Sequence, residues 1–225
     1  MFITSTFIQI EFFLKTIVIC YYTTIYNILF YQSYYKMNTD PKIVFLAGVS
    51  GSGKTTMMQL LLEDECFEKV CSVTTRRPRH GEISGDQYIF MNAWEFEYLI
   101  EQKKFLEYAY VHQIAYYGTR LDLIEQALSH GKYPVKTIDM IGMEVIEKKW
   151  KIEWQYMAFF LDVPEDIMRE RILMRQPHMN TIELQHRLDS AAMERMIANR
   201  LKNCIIIDAS GSREDVLTSI KKYIF

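Results

Sequence analysis

Apolar residues in this chain fall into short unbroken runs separated by stretches of helical spacing. Residues 43–47 (IVFLA) form the first clean run and predict a buried strand, and residues 56–62 (TMMQLLL) predict a helix behind it. A short strand is expected at 70–73, then a loop whose Pro78 and Gly81 exclude helix interior. Residues 86–90 alternate with period two, as a short strand does. Asn92 is placed to cap a helix over 93–104, with Trp94, Phe96, Leu99 and Ile100 near its apolar side. The apolar run 105–110 is interrupted by Glu107, residues 116–119 predict a turn, and 121–128 predict an amphipathic helix stopped near Gly131. Further strands are expected at 133–139, within 152–161 and at 204–208. Further helices are expected from Pro164, from Thr181 toward Leu201, and over 216–224. Strands alternating with helices argue for a doubly wound α/β fold with a parallel sheet.

The junction of the first strand and helix carries Gly48-Val49-Ser50-Gly51-Ser52-Gly53-Lys54-Thr55. This fits G-x-x-x-x-G-K-[ST] in the strand–loop–helix setting that a phosphate-binding loop requires. The glycines let the backbone turn successive N–H groups toward an anion, and the helix N-terminus adds partial positive charge. Lys54 is expected to reach the β- and γ-phosphates and the Thr55 hydroxyl to bind Mg²⁺. Gly48, Ser50, Gly51, Ser52, Gly53, Lys54, Thr55 and Thr56 are thus the candidate ATP site.

Composition narrows the field. The chain has 225 residues, 49% hydrophobic and 24% charged, enough for one well-buried core. A formal net charge of −2 gives no basic field that would mark a nucleic-acid partner. Four cysteines, Cys20, Cys66, Cys71 and Cys204, lack C-x-x-C spacing, which argues against structural zinc and a disulfide framework and suits a reducing cytoplasm.

Residues 1–36 stand apart. They carry only Glu11, Lys15 and Lys36 as charges, and the 20 residues from Thr16 to Tyr35 are uncharged, long enough to span a bilayer. The run is rich in Thr, Tyr, Asn and Gln and lacks a basic leader and a small-residue cleavage site. Three readings stand: a membrane anchor, a loosely packed extension, or a translation start at Met37, which is preferred. Membrane contact is expected only through this segment.

Candidate anion and base contacts follow the phosphate loop. Arg76 and Arg79, three apart in a basic loop, suit two forks closing on one anion; a solvated loop is the alternative. Tyr88 either adds a phenol O–H to that anion or is a core aromatic. Glu107 either faces solvent or accepts hydrogen bonds from a bound group. Asp139 stands at the carboxyl end of a strand, where open parallel sheets carry their ligand sites.

Taken together, and above all through the segment Ser72-Val73-Thr74-Thr75-Arg76-Arg77-Pro78-Arg79-His80-Gly81-Glu82-Ile83-Ser84-Gly85-Asp86-Gln87-Tyr88-Ile89-Phe90, residues 42–224 resemble the guanylate kinase family of P-loop nucleoside monophosphate kinases. The resemblance implies a P-loop NTPase-type parallel sheet flanked by helices, with a small GMP-binding insertion at about 72–120 and a helical lid at about 172–187, inside a domain spanning 37–225. It implies a cytoplasmic enzyme of purine metabolism that phosphorylates GMP to GDP with ATP and Mg²⁺. Arg76, Arg79, Tyr88 and Tyr117 would hold the GMP phosphate, and Ser72, Glu107, Thr119 and Asp139 would read the guanine. Arg171, Arg175 and Arg187 match arginines that, with Lys54, neutralise the transferring phosphoryl group. The chemistry agrees: guanine offers N1–H and N2–H₂, which suit carboxylate acceptors, and its O6 needs a donor from Thr119 or Ser72.

The chain also departs from the family pattern. Thr137 stands where the first of two acids is expected, leaving Asp139 alone. Lys136 is unexpected in a buried strand unless its amine finds a carboxylate or snorkels out. The lid segment lacks the usual Gly and acidic run, and Asp208 replaces a frequent Asn. An alternative reading, a guanylate-kinase-like binding module without catalysis, is favoured by Thr137 and opposed by Lys54 and Thr55. A different acceptor, such as another nucleotide or a sugar phosphate, is opposed by the joint presence of Ser72, Arg76, Arg79, Tyr88 and Glu107.

Overall fold

The computed structural model describes residues 43–111, 113–149 and 156–225. The expectations for residues 1–36 lie outside the described residues.

The fold grows from β1 (Ile43–Gly48), buried at every position. A strand so apolar on both faces belongs at the centre of a parallel sheet covered by helices. It pairs in parallel with β7 (Tyr133–Thr137) on one side and β8 (Tyr156–Asp162) on the other. Adding β2 (Phe67–Lys69) and β9 (Cys204–Asp208) gives a five-stranded parallel sheet in the order β2-β7-β1-β8-β9. The carboxyl ends of β1, β7, β8 and β9 therefore share one edge.

Helices cover both faces of this sheet. The helix α1 (Lys54–Leu62) inserts Met57, Met58 and Leu61 toward β1 and β7. The others that frame the site are α4 (Met140–Lys149), α5 (Glu165–Arg175), α6 (Thr181–Ala198) and α7 (Arg213–Ile224). Asn180 Oδ1 caps α6 by accepting from Glu183 N at 2.8 Å, and the Ser212 hydroxyl caps α7 by accepting from Asp215 N at 3.2 Å. Each cap stabilises its helix by about 1 kcal/mol. The main core runs through Phe45, Leu46, Phe159, Phe160, Met168 and Ile220.

A second sheet, of four strands, lies between β2 and β7 in the sequence. Its order is β4-β3-β6-β5, built from β3 (Ser72–Thr74), β4 (Tyr88–Phe90), β5 (Phe105–Val111) and β6 (Ala115–Arg120). It has its own small core, in which Phe96 of α2 (Ala93–Glu101) stacks on Phe105 at 4.2 Å and on Tyr116 at 5.0 Å. The helix α3 (Leu121–Ser129) returns the chain to β7.

Several local expectations are corrected. The strand expected at 70–73 is two strands in two sheets, because Val70 and Cys71 are the crossing between them. The turn expected at 116–119 is the middle of β6, where Gly118 lets two backbones close: a Cβ there would sit 2.9 Å from Glu107 O. The helix expected over 93–104 ends at Glu101. The helix α4, unforeseen, buries Met140, Met143 and Ile146.

Candidate active site

The loop between β1 and α1 wraps an anion-sized hollow. Gly48, Gly51 and Gly53 take φ of 145°, 79° and 92°, values that L side chains rarely adopt. Gly48 packs so closely on β8 that a Cβ would meet Leu161 O at 2.3 Å. A Cβ on Gly53, in contrast, would meet nothing within 4 Å. Above the loop lies a cavity of about 670 Å³, lined by the loop itself, Arg171, Arg175, Ser212 and Arg213. Lys54 donates to Gly48 O at 2.5 Å and to Val49 O at 2.9 Å. Burial lowers its pKa, and the charge of Glu194 on α6 acts against that shift. Among the described residues, Ser52 Oγ and Glu194 Oε2 are buried polar atoms with no hydrogen-bond partner. A neutral hydroxyl and a carboxylate oxygen buried next to a phosphate loop need partners that a bound ligand can bring.

Arg171 links this loop to the segment before α7, donating to Ala209 O at 3.0 Å and to Gly51 O at 3.4 Å. Arg175, in the last turn of α5, reaches the same cavity. Arg187 does not: it donates to Glu183 Oε1 at 2.8 Å and to Gln176 Oε1 at 3.1 Å on the outside of α6.

A second cluster sits on the four-stranded sheet. The guanidinium of Arg76 is gripped by Glu82 through a pair of bonds of 2.9 and 3.0 Å, and it lies 5.4 Å from the Tyr88 ring centre. Tyr88 packs edge-on against Tyr117 at 5.8 Å, and the Tyr117 phenol also meets Arg76. Glu82 accepts from the Arg79 N–H at 2.7 Å, while the Arg79 side chain points to solvent. Glu82 thus holds the loop in shape; its position three residues after Arg79 was the only sequence signal for it. Thr74 and Thr75 clip the start of the same loop to the main chain of Tyr116.

A third cluster joins the two sheets. Glu107, on β5, accepts from the Thr119 hydroxyl at 2.6 Å. Burial raises the Glu107 pKa, an effect opposed by Thr119 and by the charge of Lys136, and reinforced by Asp139. Lys136, buried at the end of β7, reaches across and donates to the Ser72 hydroxyl. Burial pulls its pKa down to about 8, and Glu107 is the strongest opposing charge. Asp139 accepts from Gly142 N at 2.6 Å and acts on Glu107 on one side and on Glu194 on the other. Thr137, by contrast, is exposed.

The arrangement offers one anion site at a helix N-terminus, a second built on arginine and tyrosine, and a set of carboxylates and hydroxyls (Thr119 buried, Glu107 and Ser72 half-buried, Asp139 exposed) able to sort a polar planar ring. The family model described as guanylate kinase matches residues 40–224. The guanylate kinase of Helicobacter pylori strain J99 is 35% identical over 190 residues, covering 83% of this chain and 89% of that protein. That of Chlamydia muridarum is 31% identical over 182 residues, covering 80% and 86%. The crystal structure of guanylate kinase from Anaplasma phagocytophilum has the same fold, with a TM-score of 0.59 at 23% identity, covering 82% of this chain and 85% of that one.

Proposed function

Because the chain belongs to the guanylate kinase family and is a nucleotide-dependent GMP kinase, we propose that its donor is ATP with Mg²⁺ and that the three clusters divide the work. The loop N–H groups and the N-terminus of α1 hold the donor phosphates. The empty space over Gly53 and the unpartnered Ser52 hydroxyl fit a polyphosphate there. Lys54 exchanges two main-chain carbonyls for phosphate oxygens, and Arg171 and Arg175 spread positive charge along the transfer path. Arg187 joins them by giving up Glu183 and Gln176. Thr55, in the first turn of α1, would hold Mg²⁺ together with phosphate oxygens, which supplies further neutralisation of the transferred group.

On the acceptor side, Arg76, Arg79, Tyr88 and Tyr117 hold the GMP phosphate, and Ser72, Glu107, Thr119 and Asp139 surround the base. The observation that carries this reading is the half-buried Glu107 carboxylate bonded to the buried Thr119 hydroxyl, on the sheet that also bears Arg76, Tyr88 and Tyr117. A buried carboxylate facing adenine N1 would be left unpaired, so AMP is rejected. The GMP phosphate is already a nucleophile, so positioning and charge neutralisation suffice without a general base.

This reading takes 37–225 as the catalytic domain, 72–120 as its acceptor-binding part and 172–187 as its lid. It puts the enzyme in the cytoplasm, in keeping with the free thiols of Cys66, Cys71 and Cys204. Among the described residues, no helix is long and apolar enough to cross a membrane. A coupled assay of ADP formation with ATP, Mg²⁺ and GMP, with AMP as control, tests the proposal. Turnover of AMP equal to GMP, or no turnover of GMP by protein that still binds both nucleotides, overturns it. Lys54→Ala is expected to abolish turnover while GMP binding persists.

A further inference from the structure

Lys136 is 2% exposed, a charged residue at a buried position of β7, an inner strand of the five-stranded sheet. Burying an ammonium is costly unless its donors and its charge are used. Its hydrogen bond goes to the Ser72 hydroxyl at the start of β3. The charged and titratable groups around it are Glu107 from β5, Asp139 beyond β7, Lys69 from β2, and the Cys71 thiol beside β3.

The direction of the protons is fixed by chemistry. An ammonium has three donors and no acceptor, so the Ser72 oxygen must accept from Lys136, and the hydroxyl proton of Ser72 is left to point elsewhere. The Thr119 hydroxyl is in the opposite situation. It gives its proton to Glu107, a carboxylate, at 2.6 Å. Of the two hydroxyls that could donate to guanine O6, Ser72 is therefore the one with a proton to give, and Lys136 is what frees it.

We propose that Lys136 is a positioning residue for guanine selectivity. By donating to Ser72 it sets that hydroxyl as the donor to the 6-oxo group, and it puts a cation at the carbonyl end of the base, opposite Glu107 and Asp139. The inference rests on the reading that this cluster holds the base of GMP. The cluster then matches guanine end to end: positive at O6, negative at N1–H and N2–H₂.

The test uses the full chain with GMP, 6-thio-GMP and IMP. 6-Thio-GMP keeps N1–H and N2–H₂ but replaces O6 by sulfur, a weak acceptor; IMP keeps O6 but lacks the 2-amino group. Lys136→Met is expected to raise KM for GMP about tenfold or more with little change in kcat, as loss of a charge-assisted contact does. The ratio of kcat/KM for GMP over 6-thio-GMP should fall by a similar factor, while the GMP-to-IMP ratio and the KM for ATP stay put. Lys136→Gln, which can still donate to Ser72, should recover part of the lost ratio. A GMP-to-6-thio-GMP ratio unchanged in Lys136→Met overturns the proposal; should that variant not fold, an unchanged ratio in Ser72→Ala, which removes the hydroxyl that Lys136 sets, overturns it instead. An unchanged GMP-to-IMP ratio in Glu107→Gln would instead sink the underlying base assignment, and the inference with it.

Discussion

Substituting two glycines of one loop should separate the stability of the phosphate loop from its chemistry. Gly48→Ala places a methyl 2.3 Å from the Leu161 carbonyl oxygen and 2.9 Å from Leu161 N and Cβ, in a backbone at φ 145°. The obstacle is main chain, and that carbonyl already accepts from Val49 N at 3.2 Å within the β1–β8 register. Neither partner yields without disturbing the central strands. Backbone strain costs about 1–3 kcal/mol and forced displacement in a packed core about as much again, so the total is about 2–5 kcal/mol. In a domain of this size each kcal/mol lowers Tm by about 2–4 °C, so Gly48→Ala should melt about 5–15 °C early. Gly53→Ala faces only the left-handed backbone at φ 92°, since its methyl meets nothing within 4 Å. That strain is about 1–2 kcal/mol, partly offset by a stiffer unfolded chain, for a net of about 1 kcal/mol and a Tm change of about 2–4 °C. Its methyl nevertheless enters the cavity proposed to take the donor phosphates. Thermal melts should rank Gly48→Ala far below Gly53→Ala, whereas the KM for ATP of the folded fraction should be hurt more by Gly53→Ala. Equal melting points for the two variants would refute the reasoning.

Arg76→Ala should raise KM for GMP by about 10–100-fold, the worth of a charged bidentate contact, and leave KM for ATP alone in steady-state kinetics. Burial holds the Glu107 pKa above the ordinary glutamate range, so kcat/KM for GMP should fall on the acid side at a higher pH than a free glutamate would give, and Glu107→Gln should remove that limb. For Lys136 the folded pKa of about 8 lies below the ordinary lysine value of about 10.5, so its stabilising contribution is full above pH 10.5 and is lost as pH falls through 8. Melting of Lys136→Met should therefore gain on the unmodified chain toward neutral pH, by up to about 3 kcal/mol. Glu194 is the charge that opposes the depressed pKa of Lys54, so Glu194→Gln should move the alkaline limb of kcat to lower pH; an unmoved limb counts against this coupling.

The phosphate loop was legible because its chemistry is local: glycines, one lysine and one threonine at fixed spacing between an apolar run and a helix. The parallel sheet was legible for the same reason, since β1, β8 and β9 announce themselves as unbroken apolar runs. The smaller sheet was legible only in part: the strand read at 86–90 contains β4, whereas β3 was merged with the crossing before it and β6 read as a turn. Gly118 reads as a turn until Glu107 O is seen to need the space of its missing side chain. The helix α4 was hidden because Ile141 and Val145 blur the spacing of Met140, Met143 and Ile146, and only packing against α6 and β5 selects the face. The roles of Glu82 and Glu194 depend on what faces them, Arg76 in one case and Lys54 in the other, and a sequence does not list neighbours across a fold.

The end of β7 shows how the two halves of the site share one strand. Side chains alternate along a strand, so Lys136 and Thr137 leave on opposite faces. Lys136 goes inward to Ser72, and Thr137 is exposed at the edge that carries the phosphate loop. Relative to the two-acid pattern that the family resemblance leads one to expect, the outward face has lost a negative charge and the inward face has gained a positive one. Both changes make this edge more favourable to the phosphates of two anionic nucleotides. In the proposed reading, Thr137 also leaves one carboxylate fewer near the donor phosphates, and Thr55 with the nucleotide's own oxygens would hold Mg²⁺. Asp139 is the acid that remains, and it acts on both Glu107 and Glu194. A charge change at Asp139, just beyond β7, is therefore felt at Glu107 and at Glu194 together.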